Sequence, residues 1–110
     1  MAMASTFTKP EPARADIDQL AGSVVLEFGT SWCGHCIAAQ APLAQAFEDY
    51  PGVNHIKVED GRGLALGRSF RVKLWPTLVF LQDGREMARL VRPSVTADIA
   101  RALADLGPGG

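Results

Sequence analysis

The residues best suited to chemistry are two cysteines, Cys33 and Cys36, in the run Trp32-Cys33-Gly34-His35-Cys36. The 110-residue chain has no others, so every covalent redox event must involve this pair. They follow an apolar, β-branched run, Val24-Val25-Leu26-Glu27-Phe28, and precede a helical pattern. A Cys-x-x-Cys placed where a strand passes into a helix points to thiol–disulfide exchange. At a helix N-terminus, unpaired N–H groups and the positive end of the helix dipole favour an anion, here the Cys33 thiolate. Cys36 lies one turn on, on the same face and within reach of Cys33. Cys33 is then the attacking sulfur and Cys36 the one that resolves the mixed disulfide.

Neighbouring residues modify this chemistry. A protonated imidazole at His35, beside Cys33, stabilises the thiolate and makes the disulfide a stronger oxidant. Glu27, a carboxyl on an apolar strand, loses hydration, and burial alone predicts a raised pKa. His55 has no such context and reads as an ordinary strand or surface residue. Two alternatives stand beside exchange: an inert buried pair, and a zinc site using His35 and His55, for which a second half with matching spacing is missing.

Several elements must position these residues. Residues 13–21 carry Ile17 and Leu20 at helical spacing, and residues 23–28 form a buried strand. A helix over 34–50 puts Ile37, Ala41, Ala44 and Phe47 on one face. Pro42 should kink or divide it, and Pro51-Gly52 stop it. Residues 53–58 form a strand and 64–70 a short helix. Strands over 77–81 and 87–91 are joined through Gln82-Asp83-Gly84-Arg85, a tight-hairpin signal. Ser94 or Thr96 caps a last helix with the stripe Ile99, Leu103 and Leu106, ended by Gly107-Pro108. Alternating strands and helices followed by a hairpin imply an α/β fold, with a mixed central β-sheet flanked by helices on both faces.

The length suits one compact domain, placed at 13–107, with a flexible polar lead-in at 1–12 and a tail at 108–110. A net charge of −1 gives no reason to expect nucleic acid or a membrane surface as partner. No apolar run approaches the roughly 20 residues of a spanning helix, and no basic-then-apolar leader opens the chain, so the expected compartment is the cytoplasm. No glycine fingerprint for a dinucleotide is visible, so no bound nicotinamide or flavin cofactor is expected.

Taken together, Trp32-Cys33-Gly34-His35-Cys36, the later Trp75-Pro76-Thr77 and then Asp83-Gly84 resemble the thioredoxin family. The inner Gly34-His35 is similar to that of protein disulfide isomerase domains. The resemblance implies the thioredoxin fold and a disulfide reductase without a cofactor. It also implies a monomer acting on disulfide-containing proteins, with electrons returned by a thioredoxin reductase. It makes Pro76 a cis-proline against the active-site sulfurs, Glu27 the buried acid that relays the Cys36 proton, and Lys57 its neighbour. Trp32, Trp75, Pro76, Thr77 and Arg92 are implied to border the substrate. The chain departs from the family pattern at Gly29, where a second tryptophan is usual, at Leu74-Trp75, at Arg92-Pro93 and at Pro42. Arg92 can attract an acidic partner or stand as a solvated charge. An oxidase or isomerase role, and a binding module that keeps the fold to dock a partner, remain as competing readings.

Overall fold

The computed structural model describes residues 3–107; residues 1 and 2 and the expected tail at 108–110, with Pro108, lie outside the described residues. Its elements, in chain order, are α1 (Arg14–Asp18), β1 (Ser23–Gly29), α2 (Gly34–Phe47), β2 (Asn54–Glu59), α3 (Ala65–Ser69), β3 (Thr77–Gln82), β4 (Arg85–Val91) and α4 (Thr96–Ala104). The strands form one sheet in the order β2-β1-β3-β4. β1 runs parallel to β2 and antiparallel to β3, and β3 pairs antiparallel with β4.

β1 is central, with a strand on each side, and all seven of its residues are buried. Its side chains alternate between two apolar layers. Val25 joins Leu43, Phe47, Ile99 and Leu103 beneath α2 and α4, whereas Val24, Leu26 and Phe28 join Ile17, Leu66 and Phe70 on the α1 and α3 side. The same alternation turns Glu27 toward α2. At the hairpin, Asp83 (φ 50°) and Gly84 (φ 80°) take the positive φ values of a type I′ turn. A Cβ at Gly84 would also collide with the backbone carbonyl of Asp18.

Two expectations, the buried face of α2 and the cap of α4, are corrected. The buried face of α2 is Cys36, Ala39, Leu43, Ala46 and Phe47. Of the expected face, only Phe47 is buried, and Ile37 is exposed. The helix is alanine-rich all round, so its apolar pattern leaves the phase open. It continues through Pro42 as one element. The N-cap of α4 is Val95, without a side-chain cap; the Thr96 hydroxyl donates to Gln45 Oε1 (3.2 Å) instead. The polar lead-in is tied to the domain: Phe7 bridges to Lys57, and the Thr8 N–H donates to the Lys57 carbonyl (2.8 Å). Further along, Glu11 accepts the first free N–H groups of α3, from Ala65 (3.0 Å) and Leu66 (2.8 Å). A carboxylate at a helix start satisfies donors the helix cannot.

Candidate active site

Cys33 is the N-cap of α2, in extended conformation (φ −76°, ψ 120°), and its sulfur accepts the Cys36 backbone N–H at 3.2 Å. This puts an acceptor sulfur on a free helix N-terminal donor. Both cysteines are free thiols; Cys33 is 8% exposed and Cys36 4%. Burial, reinforced by the hydrogen bond with Cys33, pushes the Cys36 thiol from 9.0 up to about 12. Cys36 therefore holds its proton at neutral pH and needs a base before it can attack.

A rim of exposed groups surrounds Cys33. Trp32 is 71% exposed and meets Trp75 edge-on, with ring centroids 5.8 Å apart. The half-buried Trp75 indole donates to Asp60 Oδ2 (2.8 Å), which fixes its plane. The Trp75–Pro76 peptide is cis and Pro76 is buried. The Trp75 carbonyl lies 4.0 Å from the Cys33 sulfur and accepts from Arg92 Nε at 2.9 Å. Arg92 is thus an exposed cation anchored on the backbone beside the sulfurs. Gly34 and His35 open α2 and are exposed. Thr77 is placed differently from a residue that borders a substrate. It is 1% exposed and its hydroxyl donates to the Leu74 carbonyl (2.6 Å), closing the turn before Pro76.

Behind Cys36 lies a polar network. Glu27 is buried; its Oε1 is 2.9 Å from His55 Nε2 and its Oε2 accepts from Gln40 Nε2 at 2.8 Å. Lys57, also buried, donates to Gln40 Oε1 (3.2 Å) and stands over the Phe7 ring, so it reaches Glu27 through the Gln40 amide and not by a direct ion pair. The expectation of a raised Glu27 pKa is overturned. Burial does push it up, but other interactions outweigh it, foremost the hydrogen bonds from His55 and Gln40, and the carboxyl lies below its ordinary value. Glu27, Gln40, Lys57 and Cys36 share one open cavity of about 430 Å³ with Gly29 and Thr30. Gly29 is needed where it stands: a Cβ there would lie 2.6 Å from the Cys36 sulfur.

The structure thus gathers the exposed Trp32 and Arg92 and the half-buried Trp75 beside the buried Cys33, Cys36 and Pro76, with Glu27 and Lys57 behind Cys36. His55 and Gln40 escaped the sequence reading. Both had a signal: His55 has the same strand parity as Lys57, with Val25 opposite His55 and Glu27 opposite Lys57. Gln40 lies one turn beyond Cys36 on α2. Among the described residues no group of three or more His, Cys, Asp or Glu could hold a metal ion, and no helix is long and apolar enough to cross a membrane.

Comparison with known proteins agrees with this geometry. Residues 6–105 match the thioredoxin family model. Thioredoxin H-type 1 of Nicotiana tabacum is 35% identical over 68 residues, 62% of this chain and 54% of that protein. Mitochondrial thioredoxin-3 of Saccharomyces cerevisiae is 26% identical over 83 residues, 76% of this chain and 65% of that protein. The chain spans less than two thirds of the length of these curated relatives. Among solved structures, the reduced form of thioredoxin 2 from Pseudomonas aeruginosa PAO1 is 58% identical, with a TM-score of 0.80, over 89% of this chain and 91% of that one. A family match across nearly the whole chain, on a fold that carries the cysteine pair at the start of α2, means that this chain belongs to the thioredoxin family.

Proposed function

We propose that this protein is a thiol–disulfide oxidoreductase that reduces or exchanges disulfides of other proteins through a Cys33/Cys36 couple. The observation that carries this reading is the asymmetry of the two sulfurs: Cys33 caps α2 beside the exposed Trp32, while Cys36 sits behind it with its thiol pushed up to about 12. The Cys33 thiolate attacks one sulfur of a substrate disulfide and displaces the other as a thiolate. Cys36 gives its proton to the Glu27 carboxylate and attacks the Cys33 sulfur. The second substrate sulfur leaves, and a Cys33–Cys36 disulfide remains. The shared cavity is large enough for water to carry this proton. Trp32, Trp75, Pro76 and Arg92 form the docking rim, and Lys57 holds Gln40 on Glu27.

A dithiol reductase, of the thioredoxin reductase kind, returns the electrons. The protein works as a monomer without a bound cofactor, and the cytoplasm, where thiols are kept reduced, is its compartment. The exposed His35 favours a couple less reducing than one with proline at that position, which leaves room for disulfide exchange in either direction. Redox titration should give a potential for His35→Pro lower by about 30 mV or more; an equal or higher value removes His35 from this role. The reading as a whole is tested by insulin-disulfide reduction, first with dithiothreitol and then with NADPH and thioredoxin reductase. Turnover with dithiothreitol is expected. Failure there, with both thiols titratable, would contradict the reading, and success there alone would place the difference in the docking rim.

A further inference from the structure

Among the described residues, His55 is the one buried titratable side chain that this mechanism leaves unused. Its side chain is 0% exposed, and its ring stacks on Phe47 at 4.8 Å between centroids. The backbone N–H of Ala4 donates to Nδ1 at 2.8 Å, and Nε2 is 2.9 Å from Glu27 Oε1. A peptide N–H can only donate, so Nδ1 must be the accepting nitrogen. A proton on Nδ1 would set two donors against each other. The ring is therefore the neutral tautomer with its proton on Nε2, and Glu27 Oε1 is the acceptor.

A second lock acts on the other carboxylate oxygen. The Lys57 ammonium has donors only, so the Gln40 carbonyl must face it (3.2 Å). That turns the Gln40 NH2 to Glu27 Oε2, at 2.8 Å. The orientation of the amide follows from its partners. Both oxygens of Glu27 thus accept from fixed donors, the arrangement that favours the ionised form.

We propose that His55 is a positioning residue for disulfide exchange: its neutral imidazole, held in the Nε2–H tautomer by the Ala4 peptide, donates to Glu27 and keeps that carboxylate ionised to receive the Cys36 proton. In the step it serves, the Cys36 S–H bond breaks, an O–H bond forms on Glu27, and His55 keeps its own proton throughout. The titratable groups facing Glu27 are His55 and Lys57 from β2 and Cys36 from α2; Lys9, from the N-terminal segment, lines the same cavity. The proposal rests on the reading of Glu27 as proton acceptor in exchange.

The test is an NMR titration of the full-length reduced protein. Nitrogen shifts of the unmodified protein at pH 7 should put the His55 proton on Nε2 alone; a proton on Nδ1 overturns the proposal without any variant. Carboxyl-carbon shifts should give Glu27 a midpoint below 4.5. His55→Phe, which keeps a ring against Phe47 and removes the donor, should raise that midpoint by about one pH unit or more. The acid limb of the insulin-reduction pH profile should move with it, and His55→Gln, which restores an N–H, should bring both back. An unmoved midpoint in folded His55→Phe, or in His55→Leu if the first does not fold, overturns the role of His55. Glu27→Gln turning over insulin at the normal rate would instead overturn the underlying reading of Glu27, whatever the titrations give.

Discussion

The two sides of the cysteine pair are built in opposite ways. Around Cys33, Trp32 is open to solvent and Arg92 is held through one backbone carbonyl. The rim contacts are few: one edge-on ring contact between Trp32 and Trp75, and one side-chain hydrogen bond from Arg92 to the Trp75 carbonyl. Behind Cys36, Glu27, His55, Gln40 and Lys57 each satisfy another member of the set; Glu27, His55 and Lys57 are buried and Gln40 is half-buried. Substituting an exposed side chain shifts stability by about 0.5 kcal/mol or less, whereas breaking a buried charged network costs about 3–5 kcal/mol. Under the proposed function, the rim is where a partner is chosen and the buried side is where proton chemistry is set; on the buried side variation is poorly tolerated.

The contrast is tested most severely by Gly29→Ala. The added methyl would lie 2.6 Å from the Cys36 sulfur, which has no long side chain through which to yield. We expect a stability loss of about 1–3 kcal/mol in urea unfolding and slow resolution, so that mixed disulfide accumulates in rapid-quench experiments. Normal stability and normal resolution would show that the buried side has more slack than its geometry indicates.

This glycine also shows what was legible beforehand. The sheet, the cysteine positions, the Asp83-Gly84 turn and the cis-Pro76 follow from local pattern and family likeness, because adjacent residues carry those signals. The phase of α2 was ambiguous because Ala38, Ala39, Ala41, Ala44 and Ala46 give it apolar positions on every side. Anchoring the phase on Cys36 brings out Ala39, Gln40 and Leu43. The Glu27 pKa was misjudged for a different reason: desolvation is visible on one strand, but the donors that reverse it come from β2 and α2. In the lead-in, polar composition likewise gives no sign that Glu11 accepts from helix donors more than fifty residues away.

The buried side should also show in stability against pH. Glu27 is depressed in the fold, so its contribution is present above about 4.5 and lost as pH falls through the folded value. Cys36 is raised from 9.0 to about 12, so its contribution is full below 9.0 and lost as pH climbs toward 12. Urea unfolding of the reduced protein should fall off on both flanks. The oxidised protein, with no Cys36 thiol to titrate, should lose less on the alkaline flank; equal alkaline losses in both forms would remove Cys36 as the cause.

The smallest effect belongs to the rim. Trp32→Ala should leave urea unfolding within about 0.5 kcal/mol of the parent and should raise KM for a protein disulfide more than it lowers kcat. A matching loss in kcat would mean that Trp32 shapes the sulfur chemistry itself, and the division between the two sides would be less sharp.

Trapping the intermediate decides the assignment of the two sulfurs. Cys36→Ser and Cys33→Ser variants, each mixed with a protein disulfide and quenched with acid, are analysed by mass spectrometry for a mixed disulfide. Cys36→Ser should accumulate a stable adduct through Cys33, and Cys33→Ser should accumulate none, because the Cys36 thiol is buried and protonated. An adduct forming as fast on Cys36 as on Cys33 would contradict the asymmetry on which the whole mechanism stands.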